Sequence, residues 1–245
     1  MSNQIAIEQH SVRQSVLLHL LPGVLIGICY FLILQPFQTW GYPSIMALMM
    51  AAVIILVPFE LGFLLYQGYK KNGRLSLQGV ISYCERIPVW QYFIWVPALF
   101  VLAGVIFTLM KPIDTFLQEN VFAWMPAMES GLTEGFSKPA LIVTYSLVAV
   151  IGAIIAPTVE ELYFRGYLLP RMEYAGKWAN LLHSFLFALY HVFTPWMLLT
   201  RTLAMLPLVY AVKKRSLYLS IMVHFLVNMM DVAAGAAFIL AMSGV

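Results

Sequence analysis

Residues 141–166 read LIVTYSLVAVIGAIIAPTVEELYFRG, an apolar run that leads directly into two glutamates and an arginine. A helix that crosses a hydrocarbon core of about 30 Å needs roughly 20 apolar residues, and this segment supplies them. Charged side chains inside such a helix cost about 2.5–3.5 kcal/mol each on insertion scales. The segment therefore predicts a transmembrane helix in which Glu160, Glu161 and Arg165 have a structural or functional role.

The whole chain has the composition of an integral membrane protein. Of its 245 residues, 62% are hydrophobic and 10% are charged, whereas soluble domains carry about 25% charged residues. The net charge of +3 is too small to indicate a nucleic-acid partner. Cys29 lies in an apolar run and Cys84 in a loop, so no disulfide framework is expected. We predict an all-α, polytopic transmembrane bundle whose partners include membrane lipids and no nucleic acid.

Seven apolar segments are candidate spans, and the fifth is short because Thr194-Pro195 interrupts it. Their approximate bounds are 16–34, 44–66, 93–110, 140–169, 180–193, 195–212 and 217–242. We assign residues 1–139 to an N-terminal three-span region and 140–245 to a catalytic core within the same compact membrane domain.

The lysines and arginines of the loops predict the orientation. Ten of them fall on one side of the membrane when Arg13 is included, and only Lys111 and Lys138 fall on the other side. The positive-inside rule then places the N-terminus in the cytoplasm. The loop predicted at 111–139 faces outward and is acidic; it contains Asp114, Glu119, Glu129 and Glu134.

Three titratable residues on three different spans lie at similar depth. At 1.5 Å per residue, Glu160 and His191 lie roughly 14 and 17 Å from the cytoplasmic ends of their helices, and His224 roughly 10 Å. Unrelated structural residues would have no reason to agree in depth. The agreement predicts one polar cavity in the cytoplasmic half of the bilayer.

Local spacing adds partners to this set. Glu161 and Arg165 are four residues apart, so they share a helix face and can pair, while Glu160 is rotated by about 100° from Glu161. The same four-residue spacing occurs in two further pairs: Phe187 with His191, and His224 with Asn228.

Each feature also has a structural interpretation. Glu161 and Arg165 could form an ion pair that only stabilises the bundle, and His224 with Asn228 could cross-link helices by hydrogen bonds. A lone His191 is more often structural than functional. Their coincidence in depth favours a functional site over these separate interpretations.

Three further intramembrane charges need an explanation. Arg201 and Asp231 lie roughly 18 and 21 Å from the cytoplasmic ends of consecutive helices, so we predict that they form a structural ion pair. Glu60 lies roughly 12 Å from its cytoplasmic end. It reaches the depth of the cavity, and with Pro58 beside it a role in a helix kink is equally plausible.

Three short sequences now stand in order: EELYFR at 160–165, FALYH at 187–191 and HFLVN at 224–228. They resemble the EExxxR, FxxxH and HxxxN motifs of the CPBP family of intramembrane proteases, which includes the type II CaaX prenyl endopeptidases and many bacterial relatives. The resemblance covers about residues 140–232. The first three spans match nothing that we can name.

The resemblance implies a role for each motif residue. Glu160 and His191 would position and activate the attacking water, and His224 and Asn228 would stabilise the oxyanion. The supporting residues would be Glu161, Arg165 and Phe187. The chain would then be a peptidase that cleaves near the membrane-embedded or lipidated end of a peptide or protein, and we expect it in a bacterial plasma membrane.

The cofactor and the rival functions stay open at this point. Glu160, His191 and His224 would suit a catalytic metal such as zinc, although HExxH is absent and the family is described both as metalloproteases and as glutamate-dependent hydrolases. One rival is a non-proteolytic partner, such as a bacteriocin-immunity or sensor-kinase-modulating protein. A transporter with a proton relay is another rival, but the sequence has no inverted repeat.

Overall fold

The computed structural model describes residues 7–126, 128–133 and 135–242. The described residues form helices, turns and loops with no β-strand. The helices are α1 (Val12–Thr39), α2 (Ser44–Asn72), α3 (Val89–Val121), α4 (Lys138–Arg171), α5 (Ala179–Tyr190), α6 (Pro195–Lys214) and α7 (Leu217–Ala241). The prediction of an all-α polytopic bundle is confirmed.

Six of these helices, all except α5, are long and apolar enough to cross a membrane. Helix α5 has 12 residues, which gives a length of about 18 Å, too short for a full crossing. Its chain turns at His191–Thr194, before Pro195 begins the next helical segment. The short α5 therefore ends within the bundle, and its C-terminal residues lie among the other helices.

The predicted outer loop is shorter than expected because α3 continues to Val121. Asp114 consequently belongs to the helix, where it is buried and accepts a 2.6 Å hydrogen bond from the Thr200 hydroxyl. Glu119 also lies in α3 and is exposed. Glu134 lies outside the described residues.

Several segments predicted on the cytoplasmic side meet at one end of the bundle. Their backbone hydrogen bonds run from His10 to Arg171 (3.1 Å), from Ser82 to Gly166 (2.8 Å) and from Leu217 to Tyr83 (2.7 Å). The N-terminal segment, the loop after α2, the end of α4 and the start of α7 are thereby held together. This grouping agrees with the side that the basic residues predict for them.

Helix α4 is unusual because two stretches of it have the wider π-helical turn, Val148–Ile155 and Glu161–Leu168. In a π-helix the carbonyl of each residue accepts a hydrogen bond from the N–H of the residue five positions later in the chain. The fifth residue after Gly152 is Pro157, which has no N–H. Its carbonyl instead accepts a 2.8 Å bond from the Asn228 side chain. A proline in α4 thus explains one polar link to α7.

The α1–α5 contact depends on two glycines. A Cβ atom at Gly23 would overlap the backbone carbonyl of Tyr190, and one at Gly27 would crowd Val192. Small residues four apart let two membrane helices approach closely. The end of α5 is therefore packed directly against α1, which is how the N-terminal region reaches the site.

One hydrophobic core joins the two halves of the chain. Ile26 and Leu56 from the first half share it with Val159 and Leu208 from the second half. The boundary predicted at residue 139 therefore lies inside one packed bundle, in keeping with the single compact domain assigned from the sequence.

Candidate active site

The charged residues of α4 lie inside the protein. Glu161 and Arg165 have no exposed surface, and Glu160 is 7% exposed. Arg165 Nη1 lies 3.3 Å from Glu161 Oε1. The Arg165 guanidinium also stacks 3.8 Å from the centre of the Phe187 ring, and its Nη2 contacts Met205 Sδ at 3.1 Å. A charge on this helix is therefore stabilised by an ion pair, an aromatic face and a polarisable sulfur.

His224 of α7 lies between the two glutamates of α4. Its Nδ1 is 2.9 Å from Glu161 Oε1, and its Nε2 is 3.8 Å from Glu160 Oε2. An ionised carboxylate only accepts hydrogen bonds, so Nδ1 carries the proton in this contact. Glu161 consequently fixes the ring orientation and leaves Nε2 directed towards Glu160.

His191 occupies the residue after α5 and is oriented by that helix. Its Nδ1 lies 2.9 Å from the Phe187 carbonyl oxygen, which can only accept, so Nδ1 is the donor. The Phe187 ring packs against the imidazole with the centroids 4.9 Å apart and an angle of 78°. Nε2 of His191 is therefore the nitrogen available to a substrate or a water.

Tyr190 is a site residue that the sequence reasoning missed. Its hydroxyl donates a 3.4 Å hydrogen bond to Glu160 Oε1, and the ring is buried against His191. Tyr190 precedes His191 in FALYH, and a tyrosine at the depth of charged residues was the available signal. The motif pattern has no fixed residue at this position, so it does not distinguish Tyr190 from its neighbours.

Asn228 is one helical turn from His224 but has a different partner. Its side-chain amide is bound to the Gly152 carbonyl of α4 and reaches neither glutamate with a hydrogen bond among the described residues. An amide nitrogen has two N–H groups. One N–H of Asn228 is occupied by Gly152, and the other is left for a further acceptor.

No ion pair joins Arg201 to Asp231 among the described residues, so this prediction is corrected. Arg201 Nη1 donates to Thr194, at 3.2 Å to the carbonyl and 2.6 Å to the hydroxyl. Its charge also interacts with Glu160 and Asp114. Asp231 lies on an exposed face of α7. Counting residues along a helix predicts the depth of a residue in the membrane, but not the direction in which its side chain points.

Glu60 lies beside this group of residues. It is fully buried in the π-helical turn Val57–Leu61 of α2, which also contains Pro58. Its charge interacts with that of Glu160, but neither of its carboxyl oxygens has a hydrogen-bond partner among the described residues. The sequence left a choice between the cavity and a helix kink. The structure places Glu60 inside the bundle, in a helical turn that is also distorted.

The fit of a metal can be tested on the arrangement of its predicted ligands. Among residues 7–126, 128–133 and 135–242, no three His, Cys, Asp or Glu side chains are grouped to hold a metal ion. Both nitrogens of His224 are directed at carboxylates. Glu160, His191 and His224 therefore do not form a ligand set in this geometry.

A cavity of about 1540 Å³ opens at the end of the bundle where the basic loops meet. Phe63 and Tyr167 line it, and both rings contact Tyr163. His10 also lines this cavity, and burial, followed by the positive charge of Arg171, lowers the pKa of His10 to about 4. Aromatic side chains thus form part of the wall of this cavity.

A family model described as Type II CAAX prenyl endopeptidase Rce1-like matches residues 142–230. The matched segment contains Glu160, Glu161, Arg165, Phe187, His191, His224 and Asn228. No curated protein and no solved structure matches the chain.

Proposed function

Because the chain belongs to the CPBP family of intramembrane proteases, we propose that it hydrolyses a peptide bond near the membrane-embedded or lipidated end of its substrate. In general terms, membership makes it a CAAX-type intramembrane endopeptidase. The observation that carries the finer proposal is the position of His224 between Glu160 and Glu161, each glutamate facing a different ring nitrogen.

In the proposed mechanism Glu160 is the general base. Arg165 is paired with Glu161. No described guanidinium forms an ion pair with Glu160, which keeps lone pairs for a water proton. The Tyr190 hydroxyl holds its Oε1, which leaves Oε2 for the water. His191 contributes Nε2 as a second acceptor that orients the same water, because its Nδ1 is bound to Phe187. Positioned bases of this kind contribute about 10²–10⁴-fold in rate.

His224 and Asn228 are proposed to stabilise the oxyanion. Since Nδ1 of His224 donates to Glu161, donation to an oxyanion must come from Nε2–H of a doubly protonated ring. Glu161 balances that positive charge, as the carboxylate partner of a catalytic histidine does in other hydrolases. Asn228 offers its second N–H from the same helix, one turn away. Removing one such donor typically costs about 10²–10³-fold in rate.

The direct test is a Glu160→Gln variant in proteoliposomes. The probes are a farnesylated peptide ending in a CaaX sequence, the same peptide without the lipid, and an apolar signal-like peptide. We expect cleavage of at least one probe by the wild type, with a loss of about 10²-fold or more in the variant. Glu119→Gln is the matched control, because Glu119 is exposed on α3.

Two results would contradict the proposal. Undiminished cleavage by Glu160→Gln would overturn the assigned mechanism. A wild-type protein that cleaves none of the probes, and whose cellular phenotype survives Glu160→Gln, would favour the non-proteolytic alternative, such as an immunity or sensor-kinase-modulating protein.

A second experiment addresses the metal. The mechanism above uses only side chains, so we expect cleavage to persist after treatment with a chelator and dialysis. Loss of cleavage that zinc restores would instead assign a divalent metal to Glu160, His191 and His224 after a rearrangement of these residues. We further propose that the protein acts in a bacterial plasma membrane, with its site in the cytoplasmic half of the bilayer.

A further inference from the structure

An apolar groove on the lateral surface of the bundle is lined by none of the proposed catalytic residues. It lies between the first turns of α3 and α7, which pack against each other, and its volume is about 530 Å³. Its lining side chains include Val89, Phe93 and Pro97 from α3, and Tyr218, Ile221 and Met222 from α7. Phe93 and Met222 are exposed on helices that are apolar enough to cross a membrane. The groove is therefore open to the lipid phase.

The length of the groove corresponds to a single lipid leaflet. Its α3 residues extend from Val89, the first residue of the helix, to Pro97, which is roughly 12 Å along the helix axis. Half of a hydrocarbon core is about 15 Å thick. At the starts of the two helices, the Leu217 N–H donates a 2.7 Å hydrogen bond to the Tyr83 carbonyl. The groove thus begins at one membrane surface and follows the path of an acyl chain through that leaflet.

The mouth of the groove carries positive charge. The segments that lead into α3 and α7 contain four exposed basic residues and one exposed acid, Glu85. The basic residues are Arg86, Lys213, Lys214 and Arg215. Clusters of lysine and arginine beside a membrane-spanning helix attract the head groups of anionic lipids. The charge at this mouth consequently favours an anionic lipid over a zwitterionic one.

Arg215 connects the charged mouth to the apolar groove. It precedes Tyr218 by three residues, and its Nη1 donates a 3.0 Å hydrogen bond to Gln91 Oε1 of α3. Its guanidinium also lies 5.0 Å from the centre of the Trp95 ring. A guanidinium has five N–H groups in a planar fork that matches the oxygens of a phosphate. Gln91 and Trp95 therefore fix the position of an exposed fork, and Gln91 occupies only one of its N–H groups.

We propose that this groove binds an anionic phospholipid, with one acyl chain between α3 and α7 and the phosphate against Arg215. Arg86 and Lys214 raise the positive potential around the phosphate. The bound lipid fills the space between two spans, one of which carries His224 and Asn228, and stabilises their packing. Lipid binding is independent of the proposed peptidase function, because it uses none of the proposed catalytic side chains.

The test measures thermal unfolding of the full-length protein in nanodiscs, together with lipid retention by native mass spectrometry. Discs of dioleoyl phosphatidylcholine are compared with discs that also contain dioleoyl phosphatidylglycerol, so that only the head group differs. We expect phosphatidylglycerol to remain bound and to raise the Tm by at least about 2 °C, because a ligand that binds only the folded state stabilises it.

Arg215→Gln tests the head-group half of the site. It should weaken phosphatidylglycerol binding by on the order of fivefold, the effect of one basic residue near a charged lipid. Lys177→Gln is the matched control. Lys177 is exposed, its ammonium lies 5.6 Å from the centre of the Trp178 ring, and it does not line the groove. This variant should keep the full effect of phosphatidylglycerol.

Ile221→Trp tests the apolar half of the site. The larger ring fills the groove, so the difference in Tm between the two kinds of disc should disappear. Leu240→Trp is its control, since it places the same ring at a position of α7 that is 73% exposed and outside the groove. Arg215 is exposed, so Arg215→Gln decides the question if Ile221→Trp does not fold.

Three results would overturn the proposal. Equal stabilisation by phosphatidylcholine and phosphatidylglycerol would show that the head-group charge is not recognised. An equal rise in Tm from inorganic phosphate in phosphatidylcholine discs would assign a site for a free anion instead of a lipid. An equal loss of binding in Arg215→Gln and Lys177→Gln would show a general effect of surface charge. Each of these outcomes is independent of whether any probe peptide is cleaved.

Discussion

Nδ1 of His224 lies 2.9 Å from Oε1 of Glu161, and this contact assigns different tasks to two adjacent glutamates. Glu161 is tied to His224 and Arg165 and has no exposed surface. Glu160 is turned away from this pair and faces the other nitrogen of His224. Of the two adjacent glutamates, Glu161 is therefore held by its partners, whereas the Glu160 carboxylate is available for the proposed reaction.

Glu161→Gln should lower kcat by on the order of 10²-fold, because a neutral amide no longer balances a protonated His224 ring. Substrate affinity should change little, since Glu161 is buried behind His224. The measurement is kcat and KM on whichever probe peptide the wild type cleaves. An effect confined to KM would contradict the role assigned to Glu161.

Arg165→Met should destabilise the protein by about 3–5 kcal/mol, because it leaves Glu161 buried without its cation. The double variant Arg165→Met with Glu161→Gln should regain part of that loss, since both charges are then removed. Thermal unfolding in nanodiscs measures the difference, with Arg13→Met as the exposed control. A double variant less stable than Arg165→Met would exclude this coupling.

Gly23→Val should lower both stability and activity, because a side chain there overlaps the Tyr190 carbonyl at the end of α5. Overpacking typically costs about 1–3 kcal/mol. Gly104→Val is the matched control, since a Cβ at Gly104 meets nothing within 4 Å. Equal melting temperatures for the two variants would show that α1 tolerates a larger separation from α5.

Arg201→Met should weaken the turn that carries His191, and Asp231→Asn should not rescue it. The bonded partner of Arg201 is Thr194, so a double-mutant cycle with Thr194→Val should give a coupling of about 0.5–3 kcal/mol. The corresponding cycle with Asp231→Asn should be additive. Coupling to Asp231 instead of Thr194 would restore the ion pair that the sequence predicted.

The free energy of unfolding should decrease below neutral pH because His10 binds a proton more readily in the unfolded chain. The folded state lowers the pKa of His10 from 6.5 to about 4, mainly by burial, so the unfolded chain binds more protons between these values. The stabilisation is complete above pH 6.5 and is lost as the pH falls towards 4. Melting temperatures at several pH values should show a shallower decline for His10→Gln. Parallel curves for both proteins would exclude His10 as the cause.

Much of the site was predictable because its residues are costly in a membrane. The positions of Glu160, Glu161 and Arg165 follow from hydropathy, and helical rise places His191 and His224 at their depth. Periodicity also predicted the contact between Phe187 and His191 on one helical face. These inferences rest on local properties of single helices, which the sequence contains directly.

The tertiary structure decided which faces meet. Equal depth placed Arg201 level with Asp231, but the Arg201 guanidinium bonds Thr194, in the turn before its own helix. The missing N–H of Pro157 turns Asn228 towards Gly152, a link that requires the two helices to pack in one register. Tyr190 bonds Glu160 from the end of α5, where the Tyr190 backbone packs against Gly23 of α1.

The sequence by itself therefore determined a helical membrane bundle, the heights of its charged residues and their resemblance to a protease family. Only the tertiary structure decided the partners of those residues, including His224 for Glu161. The physical reason is that hydropathy and helical rise act along one axis. Partner choice depends on the rotation and separation of helices, which many packing contacts fix together.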